Sequence, residues 1–387
     1  MKNLNRVAML IAYVFMTFMY SCDNELSQSN EMISENQDID QTELTEFKGL
    51  PVKHRFSAPI AELEKTHDYT ALKKLYNSKR RAAASKKGIA YKGEEELPSA
   101  EIIVEAAEER LNEFPYRENE EAEMNLEMVQ EDFPTLTGEE IEVNMDVIDD
   151  YYSQNLDYEV LADVAEDENL QAKILTAAKT ESRDWGRFWC VVRKFQTPQY
   201  VIGAFGYGIS TGEFSYIRSV IALYYSNRAV GYSVQSVFGH FAYDNTQRDA
   251  YRHVLWSVFL AKYYYTISSK SARLRFAEAI GNANEICTDN PEDSKYMDFH
   301  NNAIGRKLFD DNCSYRTKRV LWWRVTYGLN VPSESTLRSR TESFVHSGYF
   351  IDKDFDKSLD PIEIDRVTNS IRNYSDKNRV LYFSKEL

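Results

Sequence analysis

The chain has 387 residues, 43% of them hydrophobic, with four cysteines and a formal net charge of −15. That is enough apolar material for one large domain or two modest ones, which excludes a disordered polymer. The acidity argues against nucleic acid as a partner and, in general, against anionic lipid.

Lys2 and Arg6 precede an uncharged, largely apolar run over residues 7–20, which has the length of a signal peptide and is short for a membrane span. Ser21 and Cys22 follow at the end of that run, the small-residue-then-cysteine junction of bacterial lipoproteins. The expectation is therefore a signal peptide over residues 1–21 and a mature chain that is lipidated on Cys22 and held in the cell envelope. Loss of Lys2 and Arg6 makes that mature chain more acidic still. Its three other cysteines, Cys190, Cys287 and Cys313, have no zinc-finger spacing and leave at least one thiol unpaired.

Residues 22–50 are polar and acidic, and read as a flexible tether. An acidic helical region is expected over 51–182. Ser57 and Pro59 start a short helix, and residues 70–87 form a longer one that stops at Gly88. Ile103, Ala107, Leu111 and Phe114 then make an apolar stripe up to Pro115. Thr137 with Glu140 is a capping box. It opens a helix bearing Ile141, Met145, Ile148 and Tyr152, with a separate helix expected from about Tyr158.

Near Arg183 the acids thin out and aromatic residues become common, so a second domain is expected over 183–387. Gly203, Gly206, Gly208 and Gly212 lack the following Gly-Lys-Ser/Thr of a phosphate loop and suit close packing or a turn. Buried or amphipathic helices are expected over about 216–225, 248–265 and 271–286. A fourth helix is expected to be capped by Asp298, with Gly305 permitting close approach of a neighbour. The segment after Thr317 reads as short helices with one or two strands, including 379–384. The fold class is thus mainly α, a multi-helix domain with few short strands preceded by the acidic helical region.

Chemistry-bearing residues concentrate in 249–306. Asp249, Arg252, His253 and Trp256 fall at i, i+3, i+4 and i+7, a polar stripe within an apolar, aromatic segment. His253 is a candidate general base or metal ligand that Asp249 would orient. Glu285, Asp298 and His300 would complete an oxygen and nitrogen set for a divalent metal, the one candidate cofactor. The catalytic candidates are thus His253, Asp249, Arg252, Glu285, Asp298 and His300. Arg252 and Arg306 suit a phosphate or carboxylate, Asn301 and Asn302 a water or oxyanion, and Trp256 substrate packing. Each member also has a bland explanation: Arg252 paired with Asp249 or Glu285, Trp256 packing, Asn301 and Asn302 capping a helix. His54, His67 and His346 read as structural or exposed, and His240 as the remaining histidine nearest the site.

These residues resemble a family of uncharacterised bacterial secreted, lipoprotein and toxin-associated domains. The family pattern is Asp-Ala-x-Arg-His-x-x-Trp, a His-Glu pair, then Met-Asp-x-His-Asn-Asn-x-x-Gly-Arg. Asp249, Ala250, Arg252, His253 and Trp256 match the first motif. Met297, Asp298, His300, Asn301, Asn302, Gly305 and Arg306 match the last. Asn284 stands where the pattern has the His before Glu285, which implies altered metal binding or activity if that His is a ligand. The resemblance implies a shared site and no named substrate. Two functions follow as expectations: an envelope hydrolase acting on a lipid, peptidoglycan or phosphodiester, or a non-catalytic lipoprotein whose polar cluster fixes helix packing. Its protein or envelope-polymer partner is unspecified.

Overall fold

The computed structural model describes residues 44–382 apart from 64–68, 92, 94, 178–213, 239–245, 288–289, 321–322 and 351–360. The signal segment, Cys22, Cys190, His67, His240, the four glycines at 203–212 and the composition change at 183 lie outside the described residues. Residues 45–387 form one compact unit, separate from 1–44.

The unit begins with a hairpin, β1 (Thr45–Phe47) and β2 (Leu50–Val52). Lys48 and Gly49 both have positive φ, as a two-residue type I′ turn requires. Phe47 and Val52 are fully buried, so the expected tether ends before residue 45: two large apolar groups on alternate positions are enough to draw this end into the core.

The acidic region is helical, as expected. A single turn at Ile60–Leu63 precedes α1 (Tyr69–Lys86), which Gly88 terminates with φ +68°. Then come α2 (Ala100–Arg110), α3 (Glu123–Asp132) and α4 (Gly138–Val143). The Thr137–Glu140 capping box is formed in both directions. The helix it starts is shorter than its apolar stripe predicts, because the chain breaks at Asn144 and restarts as α5 (Met145–Glu166). No separate helix begins at Tyr158. α5 runs straight through, buried on all sides, and a helix enclosed all round has no one-sided pattern to mark its extent. α6 (Glu168–Ala177) follows.

α5 organises what comes after. Its buried Asp157 accepts from the Ser215 hydroxyl and from the backbone N–H groups of Tyr216 and Ile217, capping α7 (Tyr216–Phe238). Asp149 pairs with buried Arg218 at 2.8 Å and also accepts from the Ile267 N–H, tying α5 to both ends of the next segment. No helix among the described residues is long and apolar enough to cross a membrane.

The site-bearing helices are α8 (Gln247–Tyr263), α9 (Lys270–Cys287) and α10 (Glu292–Asn312). Thr246 caps α8 through the Asp249 N–H. α10 starts six residues before Asp298, with Pro291 at its N-cap and Glu292 and Asp293 in its first turn. Asp298 therefore sits inside the helix and is not its cap. A ribbon of β3 (Ser314–Val320) and β4 (Trp323–Asn330), then α11 (Glu334–His346), β5 (Tyr349–Phe350), α12 (Pro361–Arg372) and β6 (Leu381–Tyr382) complete the unit. The described residues thus form a mainly helical fold with three two-stranded sheets. Two large apolar clusters build its core. One lies mostly in residues 47–170, the other mostly in 214–382, and α7 and β4 contribute to both.

Gly305 sets the spacing of α8 and α10. A Cβ there would lie 2.3 Å from the Val254 carbonyl oxygen and 2.8 Å from Cβ of Ser257. Gly305→Ala is expected to cost about 2 kcal/mol or more through overpacking, read as a lower urea midpoint with unchanged slope. An unchanged midpoint contradicts the close approach.

Candidate functional site

His253 is 2% exposed and lies where α8, α9 and α10 converge. Two neighbours come from its own helix: Asp249 one turn earlier and Arg252 beside it. Glu285 faces it from α9 and Asp298 from α10. The imidazole Nε2 is 2.7 Å from an Arg252 terminal nitrogen, 3.2 Å from Asp298 Oδ1 and 3.6 Å from Asp249 Oδ1. The other ring nitrogen, Nδ1, is 3.5 Å from Glu285 Oε1.

These distances assign the protons. Guanidinium nitrogens only donate, so Nε2 accepts from Arg252 and a neutral ring carries its hydrogen on Nδ1, towards Glu285. Burial, followed by the Arg252 charge, pushes the His253 pKa below its ordinary value, while Glu285 and Asp249 act in the opposite sense. Asp298 is held well above the usual carboxylate range, first by burial and then by the charges of Glu285 and Asp249. Its Oδ1 has no hydrogen-bond donor among the described residues. A neutral Asp298 carboxyl can donate towards Nε2 across the 3.2 Å between them, whereas an ionised one would require something electropositive beside the pair.

In this structure Arg252 fills that role. Its guanidinium donates to Asp249 Oδ1 through Nε at 2.9 Å and through a terminal nitrogen at 2.6 Å, and the same terminal nitrogen reaches His253. The Arg252 side chain is 35% exposed, whereas those of Asp249, His253 and Asp298 are 4% or less, so Arg252 links the enclosed acids to the surface.

Asp249, His253 and Asp298 together offer one nitrogen and two oxygens, all within 4.8 Å of one another. Tetrahedral zinc with bonds of about 2.1 Å places its ligand atoms about 3.4 Å apart. The two separations measured from Nε2 bracket that value. The residues present thus fit a divalent cation in the place that the Arg252 nitrogen occupies.

Asn302 completes the cluster. Its amide donates to Glu285 Oε1 at 3.2 Å, while Asn284, at the family's His position, donates to the same oxygen at 3.1 Å. Asn284 thus supports a carboxylate here instead of presenting a ligand nitrogen.

Other expected members are placed apart. His300 lies two residues from Asp298, which on a helix is the far side, and its Nε2–H donates to the Arg379 carbonyl at 2.9 Å. Its ring also meets Tyr374 edge-on. Asn301 clamps β6, donating to the Leu381 carbonyl and accepting from the Leu381 N–H. Arg306 reaches Glu278 at 3.3 Å, and Trp256 donates to Asn227 at 2.8 Å. Both are half-buried on the helices that carry the cluster.

The sequence reading missed Ser257, which is fully buried, one turn beyond His253 and in contact range of Gly305. Its hydroxyl has no hydrogen-bond partner among the described residues. The i+4 spacing from His253 was the available signal.

Residues 214–326 match a sequence family described as a domain of unknown function (DUF6973). The matched segment is less than a third of the chain and contains both motifs on which the resemblance to an uncharacterised domain family was based. No curated protein matches the chain.

Because the folded-state pKa of Asp298 is raised, its stability contribution is complete below the ordinary value of 3.8 and is lost as pH rises through the raised value. Asp298→Asn, which stays neutral, should therefore match the parent's melting temperature below pH 3.8 and exceed it increasingly at higher pH. A variant that loses stability relative to the parent as pH rises contradicts this protonation assignment.

Proposed function

We propose that Asp249, His253 and Asp298 hold a divalent cation, and that the cluster is the hydrolytic site of a cell-envelope lipoprotein. The observation that carries the reading is that a nitrogen of His253 and oxygens of Asp249 and Asp298, all buried, lie within 4.8 Å of one another, with the Arg252 guanidinium against two of the three. A bound cation would lower the pKa of a coordinated water and supply the nucleophile. Three protein ligands leave a coordination position open for that water.

The chain's own residues supply the rest. Glu285, held by Asn284 and Asn302, stands 3.5 Å from His253 Nδ1 without a hydrogen bond formed in this structure, and would orient the ring by accepting from Nδ1–H, the support that metal-bound imidazoles need. Arg252 leaves the acids when the cation enters and turns its donors to an anionic group of the substrate at the surface. Arg306 and Trp256 flank the route on α10 and α8. The substrate class is an ester or phosphodiester of the envelope. The envelope location is supported by Lys2, Arg6, the apolar run over 7–20 and Cys22, through which the chain would be lipid-anchored.

One observation favours a second reading. Asp249, His253, Glu285, Asp298 and Asn302 are each at most 3% exposed, as a polar network that specifies helix packing would be. On that reading His253→Ala lowers stability by a few kcal/mol and no cation is ever bound.

Equilibrium dialysis against zinc and manganese distinguishes the two. The parent should bind one equivalent, His253→Ala should bind none, and Arg252→Ala should bind about tenfold or more tightly, because the competing internal cation is gone. Absence of binding in both parent and Arg252→Ala leaves the packing reading.

A further inference from the structure

The ribbon of β3 and β4 reverses the charge character of the chain. Within a protein of net charge −15, residues 315–324 carry Arg316, Lys318, Arg319 and Arg324 and no acid. Residues 318–324 read Lys-Arg-Val-Leu-Trp-Trp-Arg. The inner half of the ribbon is anchored: Val325, Tyr327 and Leu329 are buried in the core, and Gly328 lies against Ala122, where a Cβ would come within 2.5 Å of that side chain. The outer end is exposed, with Trp323 at 46%, whereas Tyr315, 49% exposed, lies at the other end of the ribbon opposite Leu329.

The other exposed large apolar side chains gather near this ribbon. Met124 lies on α3 and Val143, 77% exposed, on α4. Both helices pack on β4. Four of the six exposed large hydrophobics among the described residues are thus on the ribbon or on helices against it, the others being Ile89 and Tyr232. Such clustering marks an interaction surface, whereas scattered exposed residues do not.

The strand register adds a second, independent observation. Arg319 stands directly opposite Arg324, beside the Val320–Trp323 pair. Like charges directly opposed across an antiparallel pair destabilise it, and neither arginine has an ion-pair partner among the described residues. Lys318 alone has a distant acidic neighbour, Glu123 at 3.9 Å, with both side chains more than half exposed. Glu142 faces the other strand at Thr326. No acidic side chain among the described residues meets this outermost arginine pair.

We infer that the β3–β4 ribbon docks on an anionic lipid surface, with Arg319, Arg324 and Lys318 at the headgroups and Trp323 at the boundary with the acyl chains. Indole rings settle at that depth, with one side apolar and one end polar. Each basic residue near an anionic leaflet adds about fivefold to the affinity. Arginine stems lie along apolar surface while their heads stay among phosphates. Net acidity elsewhere orients the contact, since the rest of the molecule is repelled by the same surface. This inference does not depend on the cation site, and either can fail alone.

The test uses the full chain, so that whatever residues 1–44 contribute is common to every arm. The protein is added to vesicles of phosphatidylcholine, with or without phosphatidylglycerol, in which the acyl chains near the headgroups carry bromine, a contact quencher of indole emission. Quenching that depends on phosphatidylglycerol is expected. It should fall in Trp323→Ala and be lost in the Arg319→Glu, Arg324→Glu double variant. Arg319→Glu alone guards against a folding artefact, because it sets an acid opposite Arg324. Its melting temperature should hold or rise, while the phosphatidylglycerol needed for half-maximal quenching rises about tenfold. Quenching that ignores phosphatidylglycerol, or that survives the double variant, overturns the inference. So does ribbon-to-ribbon cross-linking that increases with protein concentration on phosphatidylcholine vesicles, which would assign the surface to a second copy.

Discussion

A cluster of buried acids must be met by positive charge, and the C-terminal helices are arranged around that constraint. Asp249, Glu285 and Asp298 are brought together with one imidazole, each at most 3% exposed. If all three ionised, their mutual repulsion and desolvation would cost several kcal/mol, because a low-polarity interior screens little. Two features offset this. Burial and the neighbouring acids favour the protonated form of Asp298, and the Arg252 guanidinium lies against Asp249 and His253. On the proposed reading, a divalent cation would take over from Arg252 the neutralisation of these acids.

That geometry depends on features remote from the chemistry. α8 and α10 approach closely because residue 305 lacks a side chain, and the contact falls at Val254 and Ser257, within the turn that follows His253. Asn301 ties the adjacent flank of α10 to β6 by two hydrogen bonds, which resists a roll of the helix that would withdraw Asp298. α7 is capped by Asp157 of the long acidic helix α5 and held by the Asp149–Arg218 pair. The acidic region thus supports the site-bearing helices although it supplies none of the cluster's ligands.

Much of this was legible in the sequence where a one-sided pattern or a local rule operates. The Asp249, Arg252, His253 spacing, the Thr137–Glu140 box, the stop at Gly88 and the close approach at Gly305 are such cases. α5 was not, because a helix buried on every side shows no period. Asp298 was misplaced as a cap because the Pro291 and acidic first-turn signal lies before it. His300 and Asn301 matched a motif, but the matching of a motif does not say which face of a helix each residue occupies. A rotation of about 100° per residue puts Asp298 and Asn302 towards His253 and turns His300 and Asn301 away. The role of Arg252 as a stand-in cation could not be read from one dimension, since it depends on acids from a second and a third helix.

The most direct measurement is the imidazole nitrogen resonance of His253, by NMR of protein labelled with nitrogen-15 in its histidines and assigned with His253→Gln. The account predicts a neutral ring at neutral pH with the proton on Nδ1 and a bare Nε2, whose resonance shifts when zinc is added. A ring protonated on Nε2, or on both nitrogens, with no response to metal would contradict the assignment of that nitrogen as the cation-facing ligand.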